Sequence, residues 1–245
     1  MERAIVPAPE APSTWLQLPL RFDVARMQRD SDQFAADEWI SHFNTGAYDH
    51  GWSCVPLRSV GGQAGHIMPI DDGTYAATPQ LARCHSLTEA LASFECEIRA
   101  ARLLALAPGA LIHAHRDAKM ALQDGLTRIH IPIHTSPQVL FSIDGETVHF
   151  TAGHAWYMDA SCLHAVHNQG TTPRIHLVLD CVTNAWLEAL FAKAGFVPKA
   201  PHKYGDPSIN DGNVHKVIAQ LRLSPSPASL ALASELAALA DGRAA

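Results

Sequence analysis

Residues 127–150 read TRIHIPIHTSPQVLFSIDGETVHF, and their alternation decides the fold class. Successive side chains of a strand point to opposite faces, so Arg128, His130, Pro132 and His134 share one side and Ile129, Ile131 and Ile133 the other. Ser136-Pro137 ends that run. The next two runs, QVLFSI and ETVHF, flank Asp144-Gly145, a dipeptide suited to the two positive-φ positions of a tight hairpin. Working outward, IRAARLLAL (98–106) runs into Pro108-Gly109, while HAWYMD (154–159) and RIHLVLD (174–180) follow downstream. Short strands so closely punctuated predict a mainly β domain, an antiparallel sandwich or barrel.

The strand RIHLVLD repeats the pattern: Arg174, His176, Val178 and Asp180 oppose Ile175, Leu177, Leu179 and Cys181. Alternation of this kind usually marks a solvent face, but a surface row favours Lys, Glu and Thr over repeated Arg and His. A polar-lined interior cavity is the better expectation. Pro132 cannot donate to a central ladder, so its strand is expected at an edge or bulged there. Helices flank the β region. FDVARMQRDSDQFAADEWI (22–40) has loose helical spacing, and SLTEALASF (86–94) places Ser86 and Glu89 in capping-box positions. AWLEALFAKAG closes on Gly195, and SPASLALASELAALAD near the C-terminus reads as a further helix packing on a neighbour or a second subunit.

Composition narrows the class. The 245 residues carry 18 basic and 24 acidic side chains, a formal −6 at pH 7 without a run of Lys or Arg, so nucleic acid and anionic membranes are not expected partners. Prolines 7, 9 and 12 interrupt the place a signal peptide would need, and the chain reads as cytoplasmic. Cys54, Cys84, Cys96, Cys162 and Cys181 are scattered without a C-x-x-C, which suggests buried thiols rather than disulfides or a thiolate zinc site.

Nine of the fifteen histidines fall between His113 and His176. Within LIHAHRDAKM (111–120), His115 and Asp117 form an H-x-D pair able to take adjacent positions on a metal. A third ligand must come from elsewhere: His149, His154, His164 and His167 are the candidates, with His164 best placed just after a strand end. Two imidazoles and one carboxylate leave half an octahedron open, as non-haem Fe(II) oxygenases require. Arg174, ten residues beyond His164, could clamp a carboxylate through parallel hydrogen bonds.

Together, H-R-D at 115–117, R-x-H at 128–130, GHAWYMDASCLH from Gly153 to His164 and TPRIHLVLD from Thr172 to Asp180 resemble the aspartyl/asparaginyl/proline β-hydroxylase family of Fe(II)- and 2-oxoglutarate-dependent oxygenases. The resemblance covers roughly residues 98–187. It implies a double-stranded β-helix, a cupin-like jelly roll with the metal near its mouth, preceded by a helical and extended elaboration (1–97) and followed by a helical extension (188–245). It further implies His115, Asp117 and His164 as iron ligands and Arg174 as partner of the distal 2-oxoglutarate carboxylate. Arg128 and His130 match a strand lining the co-substrate pocket, with His176 on the neighbouring strand wall. The implied reaction uses O2, hydroxylates an unactivated C–H of an amino acid or peptide residue, and yields succinate and CO2. Retention of Asp117, where some members carry glycine, brings the chain nearer the proline-hydroxylase-like branch.

Plainer readings stand beside these. Asp159 can simply terminate a strand and cap a turn, and Trp156 and Tyr157 are core residues more often than substrate platforms. Arg58, in WSCVPLRSVGGQAGH (52–66), could grip a substrate carboxylate from a lid or belong to a structural hairpin. A cupin-type dioxygenase or isomerase that does not use 2-oxoglutarate, a non-catalytic jelly-roll binding module and a zinc hydrolase are the competing classes. A homodimer is compatible with the apolar C-terminal helix.

Overall fold

The computed structural model describes residues 12–68, 70, 73–117, 119–199, 203–206, 208–224 and 226–242. In chain order the elements begin with β1 (Trp15–Arg21), α1 (Val24–Asp32), β2 (Ile40–Ser41), β3 (Trp52–Val60), β4 (Tyr75–Ala77) and α2 (His85–Ala92). The strands β5 (Ile98–Leu106), β6 (Leu111–His115), β7 (Leu126–His134), β8 (Val139–Ile143), β9 (Glu146–Val148), β10 (His154–Met158), β11 (His164–Asn168) and β12 (Arg174–Val182) follow. Three helices close the chain: α3 (Ala185–Lys193), α4 (Val214–Arg222) and α5 (Pro227–Ala240).

One sheet has the order β1-β10-β7-β12-β5-β3-β2, with β4 also on β3, and the other the order β6-β11-β8-β9. Every pairing is antiparallel. From β5 to β12 the chain passes repeatedly from one sheet to the other, so β10-β7-β12-β5 face β6-β11-β8-β9 as a double-stranded β-helix, the jelly roll of the cupins. At its hairpin Asp144 has φ +49° and Gly145 +88°, the two left-handed positions that an Asp-Gly dipeptide suits. Pro132 is bulged rather than edge-placed. β7 lies between β10 and β12, and the β7–β12 register slips from His134↔Ile175 to Pro132↔His176.

The alternating faces separate as expected. Ile129, Ile131, Ile133, Leu177, Leu179 and Cys181 are buried with Leu87, Leu91, Leu187 and Phe191 of α2 and α3. Each such aliphatic chain contributes about 1.5–3 kcal/mol of burial. The opposite faces of β7 and β12 therefore turn toward the smaller sheet. Strands from before residue 98 extend the larger sheet: β3 pairs with β5 from Trp52↔Leu106 to Arg58↔Ala101, so residues read as an elaboration are structural partners of the core. WSCVPLRSV is buried along most of its length, and a strand covered on both faces carries no alternation to read.

Two sequence expectations change in detail. No Ser86/Glu89 capping box forms: α2 starts at His85, and Asp30 Oδ2 of α1 accepts the N–H groups of Ser86 and Leu87 at 2.7 and 3.0 Å. An ionised carboxylate is a stronger acceptor than the hydroxyl it replaces, and Glu89 is released to pair with Arg26 at 2.8 Å. Residues 199–245 form a unit separate from 1–198, with α3 belonging to the first. In the second, Ala233 and Leu236 of α5 are buried with Val214 and Ile218 of α4, while Leu230 and Leu232 stay exposed.

Gly153 ties three elements, since its O accepts from Phe22 N at 2.8 Å and its N donates to Pro132 O at 3.1 Å. Its φ is +74°, and a Cβ there would lie 2.6 Å from Val24 Cγ2 and 3.0 Å from Phe22 O. Gly153→Ala is expected to lose about 2–3 kcal/mol through clash and backbone strain, read as a lower urea midpoint at unchanged m-value. A midpoint equal to the parent would contradict the assigned packing.

Candidate active site

His115 ends β6, His164 begins β11, and the two are paired across the strands. Their ring centroids lie 4.3 Å apart. Each ring is oriented by the same local device: Nδ1 bonds the carbonyl two residues earlier, His113 O at 2.7 Å and Cys162 O at 3.0 Å. A carbonyl only accepts, so the proton sits on Nδ1 and each Nε2 keeps a lone pair. Burial holds His164 below the usual imidazole range, so it stays neutral. Asp117 follows β6 by two residues, with its N–H on Ala160 O at 2.8 Å. Burial works to raise its pKa, but Arg128 outweighs that and keeps it ionised.

One ligand atom from each of His115, Asp117 and His164 lies within 4.8 Å of the others, the one such grouping of three or more among the described residues. Neither His113 nor His167 joins it: His113 pairs with Asp49 at 2.8 Å, and His167 Nδ1 meets Gln169 at 3.1 Å. His149 and His154 are held by the carbonyls of Val139 and Ala152, and His134 by Asp32.

A chain of charges supports the third position. Arg128 Nη1 donates to Asp117 Oδ2, and its Nε and Nη2 donate to Asp180 Oδ1 and Oδ2 at 2.8 and 3.3 Å. Asp180 lies opposite Arg128 in the β7–β12 register and also accepts from Arg102 Nη2 of β5 at 2.7 Å. Burial alone would raise the Asp180 pKa, but Arg128 and Arg102 hold it below the ordinary carboxylate range. Arg128 lines the cavity with its donors committed to two carboxylates. Asp180 and Arg102 were not read as site residues; the signal was Asp180's place on the polar face of RIHLVLD.

These groups line a cavity of about 670 Å³ that also takes in His42, Trp52, His130 and Arg174. Arg174 is 2% exposed, and its Nε and Nη1 have no hydrogen-bond partner. Its guanidinium lies 5.8 Å from the Phe141 ring centroid, and burial pulls its pKa down to about 9. An unpaired buried cation is expensive, and this one is poised to receive an anion. His130 lines the same space; His176 is fully buried and touches His130 through their Nδ1 atoms at 3.4 Å. On another wall His42 stacks on Trp52 with centroids 3.5 Å apart. Asn44 N–H donates to its Nδ1 at 3.3 Å, placing the ring proton on Nε2. Burial, then Arg102 and Arg128, lowers its pKa to about 3.

Two residues weighed as substrate contacts as well as structural ones, Arg58 and Trp156, take structural places. Arg58 sits in β3, where its Nε and Nη2 donate to Ile98 O and Tyr75 O at 2.5 and 2.9 Å. It fastens β3 to its neighbours instead of gripping a ligand in the main cavity, because two backbone carbonyls within reach capture the guanidinium. Arg58→Ala is accordingly expected to lose about 1–2 kcal/mol of stability and leave the substrate KM within twofold; a large rise in KM would restore the lid. Trp156 is a packing residue: its ring stacks on Phe150 at 5.0 Å, and Nε1 donates to Thr151 O at 3.1 Å. Asp159 caps its turn by accepting from Ser161 N at 3.0 Å. Among the described residues no helix is long and apolar enough to cross a membrane.

The sequence profile of the family described as Aspartyl/Asparaginyl beta-hydroxylase matches residues 20–184. L-proline cis-4-hydroxylase from Rhizobium meliloti (strain 1021) is 26% identical over 172 residues, covering 69% of this chain and 61% of that protein, less than two thirds of its length. Among solved structures, AviO1 from Streptomyces viridochromogenes Tue57 aligns at 14% identity over 71% of this chain and 91% of its own, with a TM-score of 0.45. A Pseudomonas putida prolyl-4-hydroxylase aligns at 13% identity over 70% and 94%, with a TM-score of 0.43.

Proposed function

The chain belongs to the aspartyl/asparaginyl β-hydroxylase family, and on that premise we propose that it is an Fe(II)- and 2-oxoglutarate-dependent oxygenase. Its substrate in this reading is an amino acid, or an amino-acid residue in a peptide, hydroxylated at an unactivated C–H. The observation that carries the reading is the meeting of two imidazoles and a carboxylate within 4.8 Å in a cavity shared with a buried, unpartnered guanidinium. The donor set fits the metal: His115 and His164 would each offer an Nε2 lone pair and Asp117 a carboxylate oxygen, a set that suits non-haem Fe(II). The cavity fits the co-substrate as well, because Arg174 lacks the anion that a 2-oxo diacid would bring. Cupin-type enzymes without 2-oxoglutarate, and non-catalytic modules, leave that unpaired cation unexplained.

His115, His164 and Asp117 would hold the metal. Bound Fe(II) supplies the redox chemistry, by which one O2 and one 2-oxoglutarate are consumed, succinate and CO2 are released, and the substrate C–H becomes C–OH. The remaining work falls to the protein. Arg128 occupies Asp117 Oδ2 and so directs Oδ1, 4.0 Å from His115 Nε2, toward the ligand group. Arg174 takes the distal carboxylate of the co-substrate in a pocket walled by Phe141 and Val178, which exclude water and strengthen the pairing. Arg102 and the Nε2–H of neutral His42 are donors on the remaining wall, where a substrate carboxylate would settle against Trp52 and aim one C–H at the metal.

Anaerobic addition of Fe(II) and then 2-oxoglutarate to metal-free protein tests the reading. It expects a visible metal-to-ligand charge-transfer band, and succinate release once air is admitted with amino acids or short peptides. A protein that binds Fe(II) and develops no band with 2-oxoglutarate would refute the co-substrate assignment. In a coupled panel, Arg102→Leu should raise substrate KM about tenfold or more while substrate-independent 2-oxoglutarate turnover persists.

A further inference from the structure

His176 is fully buried and lies outside the set of residues lining the cavity, whereas His130, on the adjacent strand, is one of them. Their Nδ1 atoms meet at 3.4 Å. Both rings are neutral: burial first, then the field of Arg174, holds each well below the ordinary imidazole range. A neutral imidazole carries one N–H and one lone pair. The contact therefore holds a single proton, and whichever ring donates it fixes the tautomer of both. If His130 donates, its Nε2 is a bare lone pair; if His176 donates, the proton of His130 sits on Nε2.

The surroundings choose between these states. Nε2 of His130 and Nε and Nη1 of Arg174 are all buried without a hydrogen-bond partner, and the two residues line one cavity. An anion drawn to Arg174 is repelled by a lone pair on the wall of the same cavity and bound by an N–H there. We propose that His176 is a positioning residue: its Nδ1–H donates to Nδ1 of His130 and holds that ring as the Nε2–H tautomer, so that His130 and Arg174 jointly seat one carboxylate. The identity of that carboxylate, the distal end of 2-oxoglutarate, rests on the reading given above. Phe141 keeps the geometry in place. It stacks on His176 with centroids 5.7 Å apart and 18° between planes, and it presents its edge relation to His130 at 78°. Rotating either ring out of register would require this cluster and Phe150 to repack.

The test reads tautomer and affinity separately. In full-length protein labelled with 15N-histidine, without metal or 2-oxoglutarate, two-bond 1H–15N spectra are expected to show His130 as the Nε2–H form. His176→Phe keeps an aromatic ring against Phe141 and removes the donor. It should redistribute the His130 tautomer and weaken 2-oxoglutarate binding, measured calorimetrically on the Zn(II)-loaded protein, about tenfold or more, with Zn(II) affinity unchanged. His176→Asn sets an amide N–H where Nδ1–H stood and should restore affinity to within about threefold of the parent. A wild-type His130 in the Nδ1–H form overturns the proposal, as does a folded His176→Phe that binds 2-oxoglutarate like the parent. If His176→Phe does not fold, the wild-type spectrum and the Asn variant decide. Expected tautomers in a protein that binds no 2-oxoglutarate would count against the co-substrate reading and still support the tautomer assignment.

Discussion

His164→Ala is expected to weaken divalent-metal binding by about 100-fold or more and to abolish turnover. Loss of an outer partner of a metal ligand typically costs 10–100-fold, and His164 is a ligand in the proposed set, one of only three. Its imidazole is 4% exposed, neutral, and oriented by Cys162 O, so little ordering remains to be done when metal arrives. Alanine removes the lone pair and offers nothing in its place. Mn(II) titration by calorimetry measures the loss directly. Thermal melts give an independent reading, because a metal at 100 times its Kd stabilises the parent by about 2.7 kcal/mol. For a unit of this size that is a rise of roughly 5–10 °C, and the variant should show none at the same concentration. A His164→Ala protein that keeps the parental Mn(II) affinity would remove the triad, and with it the iron chemistry. The same experiment on His167→Ala serves as the control, since that ring points to Gln169 and its loss should change neither reading.

That control marks where the sequence was informative and where it was not. The faces of β7 and β12 could be read because a period of two survives when one side packs on helices and the other lines a cavity. H-x-D could be read because its two ligands are local in the chain. Choosing His164 over His167 by spacing alone was not possible: they sit three residues apart, and only the pairing His164↔His115 brings the first to Asp117. The chain from Arg102 through Asp180 and Arg128 to Asp117 depends on the register of β5, β12 and β7 together, which no single segment encodes. Arg58 leaves two readings open for a related reason. An isolated arginine beside Gly61-Gly62 looks available for a ligand, but the carbonyls of Ile98 and Tyr75 that satisfy it are 40 and 17 residues away. His42 lies on Trp52 in a segment without periodicity, and nothing in its neighbours announced the stack.

Asp180→Asn should be the most damaging single change away from the ligands themselves, with a loss of about 3–5 kcal/mol at neutral pH. The side chain is 5% exposed and accepts from two guanidiniums at once. The amide is nearly isosteric, so the cost is electrostatic: Arg102 and Arg128 would share a buried region with one carboxylate fewer, and one amide N–H would replace an acceptor. The pH dependence carries the sign. Arg128 and Arg102 hold the folded-state pKa of Asp180 below its unfolded value against the opposing effect of burial, so the carboxylate's contribution is complete above the unfolded pKa of about 3.9. It is lost as pH falls through the folded value. The stability gap between parent and variant, from urea melts, should therefore be full at pH 7 and shrink below about pH 4. A gap that persists unchanged in acid would mean that packing, not charge, carries the effect. Pairing Asp180→Asn with Arg102→Leu should recover part of the loss, a coupling of about 0.5–3 kcal/mol, because the second change removes one of the two cations left uncompensated. Arg128 would still turn toward Asp117, but with its opposite end released; metal affinity is then expected to fall about 10–100-fold, the range for a lost outer-shell partner. A variant destabilised as predicted yet binding Mn(II) like the parent would show that Arg128 holds Asp117 without help from Asp180.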